Sequence, residues 1–332
     1  MKAAILAFSA QGEALGARLA AFLESRGDAA SLTRCESGGL AAWTEAHFSD
    51  SDALVFIGSC GIAVRAVVPF VQSKLSDPAV VVVDECGVFA VPLLSGHLGG
   101  ANKLAEEIAA HLHAIPVVTT ATDRNGLFAV DTWAKEQGLH IANPEKIKAV
   151  SGKLLAGRTV RLRSSIPVRG RLPAGVLLSD EDCDIHITPR RYSSTDALHL
   201  VPPVLTLGVG CKRGIPAEKL EQSFRTFLED ADCHPAAVRQ VCSIDLKAKE
   251  SGLLEFCKAH ALPFFTYSAE ALSRIRGEFS NSDFVQSVTG VDCVCERSAL
   301  LGGGADARLI CGKRVLGGVT MALAQKPYSV TF

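Results

Sequence analysis

The sequence predicts an α/β protein made of two α/β units with mainly parallel sheets, joined by a small strand-rich middle segment. Apolar runs of strand length alternate with amphipathic helical stretches over the first 140 residues, and the same alternation restarts after Pro202-Pro203. Strands that are apolar throughout are typical of parallel sheets covered by helices on both faces. We therefore expect an N-terminal α/β domain at 1–140, a middle segment at 141–202 and a C-terminal α/β domain at 203–332.

The N-terminal unit begins with a strand-length apolar run at 2–8 and an amphipathic helix that ends at Gly27. A weak strand and a short helix follow within 29–48. Because Pro92 lacks the N–H that a central strand donates, the stretch 88–94 predicts an edge or antiparallel strand. The remaining predicted elements are strands at 53–59, 79–85 and 115–123 and helices at 61–71 and 100–112.

The middle segment starts with a helical stretch and continues in short strand-like runs. It is basic at its edges and has an acidic insert. The acidic residues are Asp180, Glu181, Asp182 and Asp184. The basic residues are Lys146, Lys148, Lys153, Arg158, Arg161, Arg163, Arg169, Arg171, Arg190 and Arg191.

The C-terminal unit repeats the alternation of strands and helices. Its first strand leads into a glycine-rich turn at 208–214, and Pro216 suits the first turn of the next helix. The other predicted elements are strands at 237–246 and 262–267, helices at 249–260, 268–276, 283–289 and 295–301, and a closing strand pair in ARLICGK and GGVTMALA.

The composition is that of a globular protein and argues against several classes. Apolar residues make up 48% of the 332 residues, and the net charge of −1 argues against a general nucleic-acid or membrane binder. No apolar run has the length of a transmembrane helix, and the N-terminal run is too short for a signal-peptide core. The eleven cysteines are scattered and show no metal-ligand spacing, so we expect reduced thiols, no bound metal and a cytoplasmic location.

Three glycine-rich loops follow predicted strands and precede helices: GSCG at 58–61, SGHLGGAN at 95–102 and GVGCKRG at 208–214. We expect such loops at the carboxyl edge of a parallel sheet, where ligands bind. Helix N–H groups there favour anions, and glycine lets a ligand approach the backbone closely. The glycines of GVGCKRG are one residue too widely spaced for the dinucleotide motif, and no Walker A sequence is present.

His97 is the candidate general base in the second of these loops, and the alternative is a polar first-turn residue that packs or caps. Ser95 is the predicted N-cap of the helix that follows. Asp84 and Glu85, at the end of the most apolar strand, form the best acidic pair, and Asp123 ends another strand. The alternative for these three carboxylates is a solvated strand end.

Three further candidates lie in the C-terminal unit. Lys247 and Glu250 follow a predicted strand, and Glu296 lies in a short predicted helix. Each of them belongs either to a binding site or to the cap of the next helix.

The order of these motifs resembles that of the cobalt-precorrin-5A hydrolases of anaerobic cobalamin biosynthesis. The resemblance covers nearly the whole chain, and SGHLGGAN is its most specific part. It rests on FIGSCGIAVRAVVPFV, VVVVDECGVFAVPLLSGHLGGAN, VVTTATD, LGVGCKRG, SIDLKAKESGLLEFC and CERSALLGGG…GVTMALA. Members of that family have an N-terminal domain, a variable middle segment and a C-terminal domain that resembles a small stand-alone protein of the aerobic pathway.

The resemblance implies a hydrolase that acts on a carbon–carbon bond. In the implied reaction, water opens the δ-lactone between the ring A acetate and C20 of cobalt-precorrin-5A. C20 then leaves with its methyl group as acetaldehyde, which gives cobalt-precorrin-5B. The cobalt belongs to the substrate, so we expect no cofactor bound by the protein. The expected partner is this cobalt-corrinoid tetrapyrrole, and a homodimer and handover to other cobalamin-pathway enzymes are further expectations.

For this chemistry we expect His97 to act as the base, with Asp84, Glu85 or Asp123 orienting or replacing it. Backbone N–H groups of the first two glycine-rich loops would stabilise the oxyanion. The expected substrate contacts are Ser59, Cys60, Gly61, Ser95, Gly96, Gly99, Gly100, Asn102, Thr120, Lys212, Arg213, Lys247, Glu250, Glu296 and Lys313.

Two other classes of protein fit the same residues. One is a non-catalytic carrier of corrinoid intermediates, which would bind the tetrapyrrole without releasing acetaldehyde. The other is a nucleotide-dependent α/β enzyme that uses GVGCKRG, which would respond to NAD or ATP in a thermal-shift assay. The missing acidic residue about 20 positions after the glycines argues against the second class.

Overall fold

In the computed structural model the chain forms two compact units, residues 1–133 and 134–332. The structure describes residues 1–73, 76–97, 99–120, 126–191 and 196–332. Within these ranges, no helix is both long enough and apolar enough to cross a membrane.

The first unit is built around a six-stranded sheet. Its strands are Lys2–Ala7 (β1), Ala29–Arg34 (β2), Ala53–Ile57 (β3), Ala79–Val83 (β4), Phe89–Leu94 (β5) and Ile115–Pro116 (β6). Its helices are Ala10–Ser25 (α1), Leu40–Phe48 (α2), Cys60–Val67 (α3) and Ala101–Leu112 (α4), and Val130–Glu136 (α5) begins in this unit. The strand order is β2-β1-β3-β4-β5-β6.

Helices cover both faces of this sheet because its central strands are apolar on both faces. Every residue of β3 and β4 is buried. On one face, α1 and α4 pack through residues such as Leu19 and Ile108. On the other face, α2 and α3 pack through residues such as Trp43 and Val67. The predicted doubly covered parallel sheet is confirmed for β1 to β4, which pair in parallel.

The strand β5 reverses the chain direction within the sheet. It runs antiparallel to β4, and β6 pairs with it on its other side. Of the two alternatives that Pro92 predicted, the antiparallel strand is therefore the one that forms, and it is not an edge. Pro92 lies at a register irregularity opposite the start of β4, where a missing N–H is tolerated.

The middle segment forms a second sheet. The strands of this segment are His140–Ile141 (β7), Val160–Ser164 (β8), Val168–Arg169 (β9), Val176–Leu178 (β10), Ile185–Ile187 (β11) and Leu198–Val201 (β12), and its helix is Ile147–Leu155 (α6). All of these strands except β9 belong to the second sheet. The sheet order is β10-β8-β11-β12-β7, in which only β7 is antiparallel to its neighbour.

The C-terminal part forms a third sheet. Its strands are Leu205–Cys211 (β13), Val238–Ile244 (β14), Phe264–Tyr267 (β15), Arg308–Leu316 (β16), Val319–Gln325 (β17) and Val330–Thr331 (β18). Its helices are Ala217–Asp230 (α7), Ser251–Ala259 (α8), Ala269–Ser273 (α9), Asp283–Thr289 (α10) and Val294–Gly303 (α11). The order is β15-β14-β13-β17-β16, with β13 to β15 parallel and β16 and β17 forming the predicted antiparallel pair.

The middle segment and the C-terminal part belong to one compact unit. The last strand, β18, pairs with β9, and the Tyr328 hydroxyl donates to the carbonyl oxygen of Gln137. The compact units divide the chain at residue 133, so the three-part division at residues 140 and 202 stays a prediction.

The helix α11 crosses β13 at backbone contact distance. A Cβ atom on Gly208 would lie 1.8 Å from the carbonyl oxygen of Cys295 and 2.8 Å from the nitrogen of Ala299. Both atoms belong to the helix backbone, which cannot yield as a flexible side chain can. The absence of a side chain at Gly208 is therefore what allows this crossing.

We expect Gly208→Ala to destabilise the protein by roughly 2 kcal/mol or more, because the added methyl group overpacks the crossing. Gly152→Ala is the matched control, since a Cβ there meets nothing within 4 Å on the exposed side of α6. It should stabilise by up to about 1 kcal/mol through helix propensity. Urea unfolding measures both changes, and equal stability of Gly208→Ala and wild type would contradict the close crossing.

Four histidines come together where the middle sheet meets the C-terminal part. The ring centroids of His140 and His234 are 5.8 Å apart, those of His199 and His234 are 5.5 Å apart, and those of His186 and His199 are 6.4 Å apart. Burial lowers the pKa of His186 and of His234 to about 4, and it also lowers the pKa of His199. Neighbouring cationic groups, such as Arg163 beside His186, act in the same direction.

The second unit should therefore lose stability as the pH falls from about 6.5 to about 4. In this window the unfolded chain binds protons that the imidazoles of the folded chain do not, so the free energy of unfolding falls as the pH falls. His186→Gln should reduce the slope of the free energy of unfolding against pH, by an amount equivalent to at most about one proton. Urea unfolding followed by circular dichroism at a series of pH values measures the slope. An identical slope in His186→Gln and wild type would contradict the assignment.

Candidate functional site

The carboxyl edge of the first sheet holds the loops that follow β1, β3 and β4. Ser9 caps α1 by accepting the N–H of Gly12 at 3.0 Å, and its hydroxyl donates to Glu85 Oε1. Ser59 precedes α3 without a side-chain cap, and Cys60 and Gly61 form the first turn of that helix. The first glycine-rich loop therefore lies where the sequence predicts it.

Asp84 holds the turn between β4 and β5. Its carboxylate accepts the backbone N–H groups of Cys86 at 3.0 Å, Val88 at 2.8 Å and Phe89 at 2.5 Å. Three backbone donors satisfy most of the acceptor capacity of a carboxylate. The contacts of Asp84 are therefore those of a turn residue.

The second glycine-rich loop lies at the opposite, amino edge of the first sheet. Because β5 is antiparallel, its last residue, Leu94, pairs with Val80 at the start of β4. The hydroxyl of Ser95 accordingly donates to the carbonyl oxygen of Asp77, which precedes β4, at 3.0 Å.

This placement corrects the expectation that the first two glycine-rich loops share one edge. The six residues of β5 span roughly 17 Å and separate the two edges. The structure therefore brings neither Asp84 nor Glu85 to His97, and it keeps the backbone of Gly61 at the far edge. An orienting role for these two carboxylates on His97 does not fit the fold.

The glycines of the second loop serve the packing of the loop itself. A Cβ atom on Gly99 would lie 2.2 Å from Ser95 Cβ, and one on Gly96 would lie 2.6 Å from Asn102 Oδ1. Gly100 has φ +87°, which favours glycine, and it is the N-cap of α4. The prediction of Ser95 as the N-cap was therefore wrong, because the loop folds back before the helix begins.

The backbone of the same loop caps the start of α4. The N–H groups of Gly100, Ala101 and Asn102 donate to loop carbonyl oxygens at 3.0, 3.1 and 3.0 Å. These are the donors that a helix start offers to an anion. The expectation of a bare helix start is corrected here, since the loop occupies these three donors.

Side chains of the loop contact two threonines at the amino edge. His97 is half-buried, and its Nδ1 lies 3.3 Å from Thr132 Oγ1. The amide of Asn102 donates to Thr120 Oγ1 at 2.8 Å. We call His97, Asn102, Thr120 and Thr132 the amino-edge cluster. Asp123 lies outside the described residues.

Thr132 is a member of this cluster that sequence reasoning missed. It follows Asp131, whose carboxylate accepts the N–H of Thr132 at 3.0 Å in the first turn of α5. The acidic residue indicates a helix start, but no local pattern indicates a contact with a histidine 35 residues earlier in the chain.

In the second unit, the structure brings three predicted elements together at the carboxyl edge of the third sheet. Glu250 Oε1 accepts the N–H of Gly214 at 2.7 Å, and Oε2 accepts from Lys247 Nζ at 2.9 Å. Lys212 and Arg213 are exposed in the same glycine-rich loop. Glu250 therefore links this loop to the start of α8, and its side chain does not cap its own helix.

The electrostatics of this edge are set by the ion pair of half-buried Lys247 with buried Glu250. The hydrogen bond from Lys247 lowers the pKa of the Glu250 carboxyl, and the Gly214 N–H and the Arg213 charge add to the effect. Burial raises the pKa of the Cys211 thiol to about 11. Cys211 is therefore a neutral thiol at physiological pH, which makes it a poor nucleophile.

Glu296 is buried and fully engaged by the protein. It accepts from the nitrogen and hydroxyl of Ser280 at 2.8 and 3.1 Å and from the nitrogen of Lys313 at 2.8 Å. Burial opposes its ionisation, but the N–H groups of Lys313 and Ser280 hold its pKa below the ordinary value. These contacts join α11 to β16. The N-cap of α11 is Cys293. The contacts of Glu296 are therefore neither those of a helix cap nor those of a ligand site.

Within the described part of the chain, no three or more His, Cys, Asp and Glu side chains are arranged to hold a metal ion. The sulfur atoms of Cys293 and Cys295 lie 3.7 Å apart, and both residues are buried. All cysteines are free thiols.

Three family models match successive parts of the chain. The model "Cobalamin synthesis G N-terminal" matches residues 42–123, "Cobalamin biosynthesis central region" matches residues 128–202, and "Cobalamin synthesis G C-terminus" matches residues 205–324. Together they include the amino-edge loop, the middle sheet and the carboxyl edge of the third sheet.

Relatives extend this similarity over nearly the whole length. The cobalt-precorrin-5A hydrolase of Salmonella typhimurium is 35% identical, with 90% of this chain and 91% of the relative covered. That of Priestia megaterium is 32% identical, with 88% and 83% covered. Protein CobE of a Sinorhizobium species is 37% identical over 36% of this chain and 79% of its own length. The chain therefore belongs to the cobalt-precorrin-5A hydrolase family.

Proposed function

We propose that this chain is a cobalt-precorrin-5A hydrolase, which opens the ring A lactone of its substrate and releases acetaldehyde to give cobalt-precorrin-5B. The observation that carries this proposal is the similarity to two relatives of that name over more than four-fifths of each chain. The cobalt arrives with the substrate, so the protein itself supplies binding groups, donors and a base.

The amino-edge cluster supports His97 as that base. The base takes a proton from water, and the resulting hydroxide adds to the lactone carbonyl. Collapse of this adduct frees the acetate carboxyl and a hydroxyl group on the carbon to be lost. Removal of the hydroxyl proton then breaks the bond between that carbon and the macrocycle. The macrocycle takes up the electron pair, and the carbon leaves as acetaldehyde.

Thr132 suits a role in fixing the imidazole for this task. If Nδ1–H of His97 donates to Thr132 Oγ1, the lone pair of Nε2 is left available to accept a proton. Neither Asp84 nor Glu85 lies at this edge, so the hydroxyl takes the place of the carboxylate that orients a histidine in many hydrolases.

Side chains are the better candidates for stabilising the oxyanion. The N–H groups at the start of α4 already donate to the loop. The Asn102 side chain is held at the same edge by its hydrogen bond to Thr120 and is our candidate for the oxyanion contact. In the second unit, the exposed Lys212 and Arg213 suit the carboxylates of the substrate.

The state of assembly and the location belong to the same proposal. We propose that the protein works in the cytoplasm, forms a homodimer and passes its product to other enzymes of the pathway. Light scattering of the purified protein tests the homodimer, and a monomeric mass would contradict it.

We expect His97→Ala to lower the rate of acetaldehyde release from cobalt-precorrin-5A by about 100-fold or more, the range of a lost general base. His111→Ala is the matched control, because this exposed histidine lies in the last turn of α4. It should retain nearly the wild-type rate. Turnover of His97→Ala within a few-fold of wild type would refute the base. Tight tetrapyrrole binding by wild type with no acetaldehyde would favour the carrier.

Thr132→Val should lower kcat by roughly five- to tenfold, since one hydrogen bond of about 1 kcal/mol is lost from the imidazole. Thr132→Ser keeps the hydroxyl and should restore most of the rate. Nitrogen NMR of His97 reads the tautomer directly and separates positioning from a general loss of folding. An unchanged tautomer ratio in Thr132→Val would rule out the positioning role.

A further inference from the structure

The two faces of the middle sheet differ in character. Because paired residues of neighbouring parallel strands share a face, Leu162, Ile185 and Leu198 form a row on one side. All three are fully buried. The second face carries the next residue of each strand, which gives the row Arg163, His186 and His199.

The second face is covered at one end only. His199 is buried, and His234 of the C-terminal part packs against it. At the other end, Arg163 is exposed, and so is Arg161, which lies two residues earlier in β8 and therefore on the same face. Leu177 of the outer strand β10 pairs with Arg161 and is 58% exposed. The uncovered end thus combines two guanidinium groups with an exposed apolar side chain.

The positive charge on this face belongs to the two exposed arginines, because the imidazole of His186 is neutral at physiological pH. Neighbouring strands lie about 4.8 Å apart, so Arg163 is directly beside His186. Among the residues that the structure describes, no carboxylate forms an ion pair with Arg161 or Arg163. Asp184 binds Lys153 Nζ and the backbone N–H of Arg161 instead.

We propose that the uncovered end of this face, formed by Arg161, Arg163, His186 and Leu177, binds carboxylate groups of a large polycarboxylate ligand. Each guanidinium group can pair with a carboxylate through two parallel hydrogen bonds, and the imidazole of His186 adds a further donor. A bound carboxylate also supplies the counter-charge that Arg161 and Arg163 lack among the described residues.

The identity of the ligand rests on the proposed function. A tetrapyrrole with several acetate and propionate arms offers carboxylates around an apolar ring, and Leu177 offers a surface to such a ring. Carboxylate binding by this face does not depend on which polycarboxylate is the natural ligand. A stable polycarboxylate can therefore replace the labile substrate in a binding test.

Uroporphyrin I, an octacarboxylate porphyrin, is a suitable probe, and fluorescence titration gives its Kd for each variant of the full chain. The Arg161→Gln, Arg163→Gln double variant should bind about tenfold or more weakly, and His186→Gln a few-fold more weakly. Arg171→Gln is the matched control, because it removes a charge from an exposed arginine of the same segment outside this sheet. It should change the Kd less than twofold.

Three outcomes would overturn the proposal. An unchanged Kd in the double variant would place porphyrin binding elsewhere. An equal loss in Arg171→Gln would indicate a general charge effect. If the double variant bound the porphyrin normally but no longer bound an acidic protein, this face would be a protein interface instead. Circular dichroism and urea unfolding confirm that each variant folds. Acetaldehyde assays of His97→Ala are separate, so either proposal can fail while the other stands.

Discussion

The antiparallel pairing of β5 with β4 determines where the candidate site of the first unit lies. Four parallel strands deliver their loops to one edge, but the reversed fifth strand delivers the Ser95–Asn102 loop to the other. The contact of His97 with Thr132 and that of Asn102 with Thr120 both exist because of this reversal. Had β5 been parallel, the loop would have joined Ser59 and Glu85 at the carboxyl edge, and a carboxylate–histidine pair would have been within reach.

The reversal also explains the structural role of the glycines in this loop. A chain that turns back on itself within a few residues needs room for its own backbone, and Gly96 and Gly99 supply it. The loop carbonyl oxygens then take the N–H groups that a helix start leaves unbound. What the loop presents to a ligand is therefore a set of side chains on a turn that is hydrogen-bonded to the start of α4. Hydrogen-bonded support of this kind helps to hold a catalytic group in place.

The sequence predicted the fold well because continuous apolar strands and amphipathic helices are local signals. The strands β3, β4 and β14 and the helices α4 and α8 lie close to their predicted ranges. Strand direction is not local, and Pro92 indicated only that β5 was unusual. The candidate site depended on that direction, so its residues were found but grouped wrongly. Thr132 was missed because its contact with His97 spans 35 residues.

Three features of the chain conflict with local rules, and the structure resolves them differently. The glycines at the start of α4 are explained by the packing of their own loop. The buried carboxylate of Glu296 is satisfied by Ser280 and Lys313. The exposed pair Arg161 and Arg163 has no such carboxylate partner among the described residues, and Asp184 binds Lys153 instead. A conflict that the protein does not settle within itself calls for a partner from outside, and the sign of the charge makes that partner an anion.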